Sequence, residues 1–358
     1  MKSKFLLAFF LLFVALNAHS QSSVILYGIL DNGITYTNNM GGKSSIQENT
    51  GIMQGNRWGL LGTEDLGGGL KAIFTLENGF TLNNGALAQG GLLFGRQAFV
   101  GLSSNTFGTM TLGRQYDFMC DFLVQDSAGN EITTAAGFHF QDVDRVACEE
   151  LNNSVKYVTS SFYGVTAGAM YAFSNQAGAF GGNSANPRGM SFGAKYDNGP
   201  LSIGAAYTDV DGQTGSLATI AFGGTSLRTM GLGARYRFDK TLVFGNITTT
   251  SISNTAAGGT ATVNNYEIGA AYQLTPAFRY GGGYTLSTWN GYQYHQFNFA
   301  LDYFLSKRTD LYLGVNYQHT NNDATGAGIW LVATPGSFKN FSTSNNQVAV
   351  RLGIRHNF

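Results

Sequence analysis

Gln347 to Phe358 reads QVAVRLGIRHNF, and its two parities differ in kind. Val348, Val350, Leu352, Ile354 and Phe358 share one, while Gln347, Ala349, Arg351, Gly353, Arg355 and Asn357 share the other. His356 is the single polar residue on the apolar side. Alternation at every second position puts the two sets on opposite faces of an extended strand. The same period continues upstream. Phe297, Phe299, Leu301, Tyr303 and Leu305 alternate with Gln296, Asn298, Ala300 and Asp302, and Leu311 to Tyr317 repeats the pattern. Met230, Leu232, Ala234, Tyr236 and Phe238 oppose Gly231, Gly233, Arg235 and Arg237.

A soluble antiparallel sandwich alternates in the same way. Three features favour the inverted case, in which apolar side chains meet lipid and polar ones line a lumen. The segments run to ten residues or more, which suits a tilted bilayer crossing better than an ordinary sheet. Aromatic residues such as Tyr27, Tyr36, Tyr157, Tyr163, Tyr171, Tyr272 and Tyr280 gather near segment ends, where an interfacial girdle would place them. The polar faces carry arginines and glycines, poor filling for a dry core.

Alternation and turn residues together predict strands near 23–37, 53–63, 69–80, 92–103, 107–115, 153–162, 164–174 and 189–198. Further strands are expected near 200–209, 227–238, 241–251, 264–274, 277–289, 294–305, 310–320 and 346–358. Tight turns alternate with long polar loops. An even strand count with that asymmetry predicts an all-β fold, a sixteen-stranded antiparallel transmembrane β-barrel. It must close, because an open sheet edge in hydrocarbon leaves backbone donors and acceptors unmet. At sixteen strands the interior is too wide for side chains to fill, so an aqueous channel is expected.

Composition agrees. Glycine supplies 49 of 358 residues and charged residues 12%, which separates the chain from an average cytosolic enzyme. Mean hydropathy is −0.05, too polar for a helical membrane bundle, and 27 Phe with 18 Tyr is too aromatic for disorder. Lys2 and Lys4 precede the apolar run from Phe5 to Leu16, and Ala18 and Ser20 offer a cleavage site, so residues 1–20 read as a secretory signal and 21–358 as the barrel domain. The formal charge of the whole chain is zero, and loss of the two lysines leaves it slightly acidic, which gives nucleic-acid binding no support. Cys120 and Cys148 would enter an oxidising compartment, where a single disulfide is permitted. They and the four scattered mature histidines show no metal-ligand spacing.

Several stretches resemble the general porins of Gram-negative beta-proteobacteria. They are SVILYGILDNG (23–33), GNRWGLLGTEDLGGG (55–69), LKAIFTLENGF (70–80), LFGRQAFVGL (93–102), TLGRQYD (111–117), NNSVKY (152–157) and the terminal LGIRHNF. The resemblance spans the mature chain. It implies a homotrimeric diffusion pore in the outer membrane, in contact with lipid and lipopolysaccharide, that passes ions and small hydrophilic solutes without a cofactor. It also implies a third external loop, here 116–152, folded inward as a constriction. Phe358 is the mark by which the barrel-assembly machinery recognises such chains.

Residues 115–152 carry Asp117, Asp121, Asp126, Glu131, Asp142, Asp144, Glu149 and Glu150 against Arg145, a net charge of −7. Parity places Arg57 inward beside outward Trp58, Arg96 inward beside outward Phe99, and Lys156 inward between outward Val155 and Tyr157. An acidic arm opposite a basic wall creates a transverse field, and only charges at the narrow point set ion preference strongly. By resemblance Arg57, Arg96 and Lys156 are the basic wall, Glu77 is an acidic wall position, and Asp121, Asp126 and Glu131 are inward-loop carboxylates, with Asp117 at the loop's start. A weak to moderate cation preference is expected. Arg114 has outward parity, and the resemblance assigns it to a subunit contact. Cys120 and Cys148 bracket most of the loop, and a bond between them would staple it.

Other chemistry is sparse. Gly189 to Gly193 fits G-x-S-x-G, but it lies in a strand and the elbow needs a strand-to-helix turn. An outer-membrane lipid hydrolase using Ser191 with His295 or His319 is the alternative from another class, and a substrate-specific channel is the nearer one. Asp209 to Gly212 is half of a calcium loop without the remaining ligands.

Overall fold

The computed structural model describes residues 22–132, 134–183, 186–212, 217–330 and 341–358, so the signal-peptide reading of residues 1–20 lies outside it. One antiparallel sheet closes on itself. Its first seven strands are β1 (Ser23–Met40), β2 (Lys43–Thr50), β3 (Arg57–Gly67), β4 (Leu70–Gly79), β5 (Gln97–Ser104), β6 (Gly108–Tyr116) and β7 (Glu150–Val158). Then come β8 (Val165–Ala172), β9 (Arg188–Asn198), β10 (Leu201–Asp211), β11 (Ser226–Phe238) and β12 (Thr241–Ser253). The circuit ends with β13 (Thr260–Thr275), β14 (Phe278–Trp289), β15 (Tyr292–Phe304), β16 (Thr309–Thr320) and β17 (Asn346–Asn357).

β1 serves two partners along one edge. β2 pairs with Asn32 to Met40 and β3 with Ser23 to Ile29, while β17 takes the other edge from Ile29 to Thr37. β2 and β3 are therefore one wall position interrupted by residues 51–56, and the barrel has sixteen strands. All sixteen segments expected from alternation are present. β2, KSSIQENT, is an addition, and its composition explains why. It sits at the long-loop end beyond the apolar band, so both faces are wet and period two carries no contrast.

The faces are inverted relative to a soluble sheet. On β17, Leu352 is 65% exposed on the outer surface while Gln347 and Arg351 are buried inside. On β13, Tyr266 and Ile268 look out and Asn265 and Glu267 look in. No helix among the described residues is long and apolar enough to cross a membrane. Tyr157, Tyr163, Tyr272 and Tyr280 stand near the short-turn end, with Tyr272 and Tyr280 paired across strands at 5.6 Å. Tyr27 departs from the girdle reading. It pairs with Gly59, which pairs with Glu77, and its hydroxyl donates to Glu77 Oε2 at 2.6 Å inside the barrel.

The β1–β17 seam extends to Phe358. The Gly28 and Phe358 amides each donate to the other's carbonyl, at 3.1 and 3.0 Å. A Cβ on Gly28 would run into the Phe358 ring, so glycine here lets the terminal aromatic lie flat on β1. Gly28→Leu should therefore lower barrel stability by about 1–3 kcal/mol, the usual cost of overpacking a tight contact. The heat-modified gel shift of the folded band checks this, and an unchanged transition would refute the role given to this contact.

Candidate functional site

The segment joining β6 to β7 holds the densest set of charges. Asp117 begins it as an N-cap, its Oδ1 accepting from the Met119 and Cys120 amides at 3.0 and 3.3 Å, and so opens α1 (Phe118–Leu123). One face of α1 is apolar, and the barrel wall is cut to receive it. Cβ atoms on Gly168, Gly193 and Gly231 would collide with Phe118, Phe122 and Leu123, and one on Gly204 with the Phe122 carbonyl. These inward glycines on β8 to β11 form a groove in which Phe118, Met119 and Leu123 are fully buried. Cys120 on α1 and Cys148 at the segment's end are joined by a disulfide.

Beyond α1 the chain contacts successive inward residues of the wall. Asn246 Nδ2 donates to the Asp126 carbonyl at 2.8 Å, and Glu267 Oε1 accepts from the Ala128 amide at 2.9 Å at the start of α2 (Ala128–Glu131). Gln296 Nε2 donates to the Ala136 carbonyl at 3.0 Å, and the Ala135 amide donates to the Ile52 carbonyl at 2.6 Å. Each contact satisfies a backbone group of a segment without sheet partners.

The acids of this segment are mostly matched by nearby cations. Arg145, fully buried, binds Asp117 through Nε and Glu149 through Nη1. Burial opposes its charge, but the two carboxylates outweigh that and raise its pKa. His139 lies between Asp144 at 2.5 Å and Glu267 at 3.0 Å. Burial alone would push the imidazole down, yet these carboxylates hold it well above its ordinary value. Glu131 faces Arg279 at 3.4 Å and Arg235 at 3.9 Å. Asp126 differs, for both carboxylate oxygens are buried without a hydrogen bond. Burial pushes its pKa up to about 7, against the pull of Arg235 and Lys195.

On the wall, Glu77 accepts from Arg96 Nε at 2.8 Å, Tyr27 at 2.6 Å and Tyr116 at 3.3 Å, and the Arg96 guanidinium lies 5.8 Å from the Tyr116 ring centre. Arg57 Nε donates to the Gly55 carbonyl at 2.9 Å and has no carboxylate within ion-pair distance among the described residues. Arg57, Arg96 and Glu77 thus form one group. Lys156 stands apart from it. Its ammonium pairs directly with Asp121, donates to the Tyr116 carbonyl at 2.9 Å and lies 5.1 Å from the Phe118 ring centre.

Parity fails near Arg96. Phe99 pairs with Thr75 and Gln97 with Glu77, both inward, while Val100 and Leu102 are exposed outside, so Phe99 faces the lumen. Arg96 reaches Glu77 because it precedes the first residue of β5, where alternation does not yet hold. Arg114 lies across from Ala98 on the outward parity and bonds Glu150 at 3.0 Å and Asn152 at 2.6 Å. His139 and Glu267 were missed as loop-docking residues. A carboxylate on the polar parity of β13, between outward Tyr266 and Ile268, was the available signal for Glu267; nothing local marked His139.

Residues 7–324 match the family model of Gram-negative porins. The chain belongs to the Gram-negative porin family. An outer membrane porin protein of Bordetella pertussis is 30% identical over 413 aligned residues, with 100% of each chain covered. Outer membrane porin protein 32 of Delftia acidovorans is 31% identical over 349 residues, covering 95% of each. The anion-selective porin of Comamonas acidovorans superposes with a TM-score of 0.79 at 28% identity, covering 94% of this chain and 100% of that one.

This porin is accordingly an outer-membrane channel for passive diffusion. Ser191 is a residue of the wall. Its hydroxyl is buried in β9, donating to the Tyr207 carbonyl at 3.1 Å and lying 2.9 Å from the Thr208 hydroxyl. His295 and His319 bond Tyr284 and Asn346 instead, so no nucleophile–base pair forms.

Two tests follow from the segment's anchoring. The disulfide closes a loop of sequence separation 28, worth about 3–4 kcal/mol in the chain-entropy account. Unreduced folded porin should bind no maleimide, and C120S/C148S should keep its barrel while its open-channel current grows noisier; two reactive thiols, or unchanged noise, would contradict this. Asp126 sets a pH dependence. Its folded pKa lies above its unfolded one, so the folded state holds the extra proton and stability falls as pH rises from about 4 to about 7. Asp126→Asn should make that decline shallower, the remainder coming from groups such as Asp142, which burial also raises, and an identical slope in the variant would show that Asp126 does not contribute.

Proposed function

We propose that the β6–β7 segment narrows the pore of a homotrimeric porin, and that the group of Arg57, Arg96 and Glu77 forms the basic side of that narrowing. The observation that carries this reading is the run of bonds from the segment to inward residues of β12, β13 and β15, among them Glu267, Asn246 and Gln296. A segment tethered that way occupies cross-section that a solute would otherwise use. The relatives' standing as porins supports trimeric assembly, and Phe358, paired with Gly28 at the seam, is the residue offered to the assembly machinery.

The selectivity proposed is a weak cation preference. Cations of the wall offset part of the segment's net −7, which already counts Arg145: Lys156 answers Asp121, Arg114 answers Glu150, and Arg235 with Arg279 answers Glu131. The two carboxylates around His139 and the two around Arg145 leave a small acidic excess, opposed by Arg57. The relative named anion-selective makes the sign worth measuring.

In a planar bilayer under a KCl gradient, the reversal potential should give a potassium-to-chloride permeability ratio above one but within about threefold, since paired charges are largely self-screened. Arg57→Gln should raise the ratio. A wild-type preference for chloride would overturn the proposed sign while leaving the channel itself in place. Insertion steps arriving in groups of three would support the trimer, and single steps would count against it.

A further inference from the structure

On the outward face of β15 and β16, two polar rings interrupt an apolar parity. His295 and His319 are direct cross-strand partners, and one step along the same face comes the pair of Phe297 and Tyr317, stacked at 6.2 Å. The inward neighbours Gln296 and Gln318 are buried, whereas His319 is exposed and His295 partly so. Both histidines stand at the long-loop end, His295 near the start of β15 and His319 at the second-last position of β16. Residue order gives them no ligand spacing, and the register of the sheet is what sets them opposite each other.

Each ring is oriented through the same atom. Asn346 Oδ1 accepts from the Tyr317 hydroxyl at 2.7 Å, and this amide oxygen lies 2.9 Å from His319 Nδ1, so that nitrogen carries the proton. His295 Nδ1 lies 2.7 Å from the Tyr284 hydroxyl, whose oxygen can accept in the same way. A hydrogen bond at one ring nitrogen settles what the other offers, and here it leaves Nε2 with its lone pair. Neither Nε2 has a hydrogen-bond partner among the described residues.

The two rings lie 6.4 Å apart between centres and are inclined by 30°. Facing residues on adjacent strands hold their Cβ atoms about 4.5–5.5 Å apart, a gap that two metal–nitrogen bonds of about 2.0–2.1 Å bridge with a small rotation of each ring. Neutral imidazole suits late first-row divalent ions, whereas calcium and magnesium want oxygen ligands. An oxygen bonded at Nδ1 is the support that metal-ligating histidines usually have. No group of three His, Cys, Asp or Glu side chains able to hold a metal occurs among the described residues, so the protein supplies two ligands here and water the rest.

We propose that His295 and His319 form a two-imidazole site for a late first-row divalent cation such as nickel, copper or zinc, bound through both Nε2 atoms on the outer surface of the barrel. The bound ion clips β15 to β16 beside their loops. It lies outside the pore, so its test reads binding and is independent of the constriction and of ion selectivity.

Untagged porin, folded in detergent and stripped with a chelator, is titrated calorimetrically with Ni2+. Saturable binding of one ion per chain is expected, and an excess of Ca2+ should not displace it. His295→Ala and His319→Ala, each checked for its heat-modified folded band, should weaken binding by about tenfold or more, since loss of a ligand costs at least what loss of its supporting partner does. His356 bonds Thr309 at the opposite end of the barrel, and His356→Ala should bind Ni2+ as wild type does. With Cu2+ in place of Ni2+, electron paramagnetic resonance should report two nitrogen ligands in wild type and one in His319→Ala. Absence of saturable Ni2+ binding, displacement by Ca2+, equal binding by wild type and both variants, an effect of His356→Ala as large as theirs, or the same nitrogen count with and without His319 would each overturn the proposal.

Discussion

Hydrocarbon offers a backbone no hydrogen bonds, and every other feature of this porin follows from meeting that condition by closing the sheet. The seam between β1 and β17 is where closure happens, and the chain spends its first long strand and its last residue on it. β1 is long because it must pair with β17 on one edge and with both β2 and β3 on the other. Once the ring is complete, side chains can only point to lipid or to the interior, and the alternation seen from end to end of the chain is the record of that choice.

The interior is less open than strand number alone suggests. Glycines on the inward faces of β8 to β11 remove side chains where α1 lies, so the wall there is a seat. An aqueous lumen and a helix seat both favour small inward residues, and the two uses look alike in sequence. What separates them is the apolar face of α1, since Phe118, Met119, Phe122 and Leu123 would be costly in water and are buried against those glycines. The disulfide and the Asp117 to Arg145 contact then tie both ends of the segment together, and Glu267 and His139 hold its middle to the wall.

Charge in the interior is arranged as local neutralisation. A net −7 segment would extend and repel itself in solution, but here its acids meet cations from β7, β11, β14 and from within the segment. Burial makes such pairing necessary, because an unmatched ionised carboxylate in a low-dielectric interior is penalised heavily. Asp126 and Asp142 are the exceptions among the described residues of the segment, and burial makes both hold a proton to higher pH.

Strand count, the inverted faces and membrane residence were readable from residue order alone, because period two depends only on which neighbours a side chain skips. Where period two lapses, that reading stopped. Arg96 lies one residue ahead of β5 and so escapes its parity, Phe99 turns inward with Thr75, and β2 has no apolar face to betray it. Tyr27 resembled a girdle tyrosine until its partner across two strands, Glu77, came into view. Pairing of Lys156 with Asp121, of Arg145 with Asp117, and of His139 with Glu267 spans separations from 28 to 128 residues, and no local pattern encodes which charge meets which. Residue order therefore determined the barrel and its membrane, which rest on nearest-neighbour geometry. Only the tertiary structure decided how the interior is occupied and which charges remain free, because those depend on distances across a closed ring.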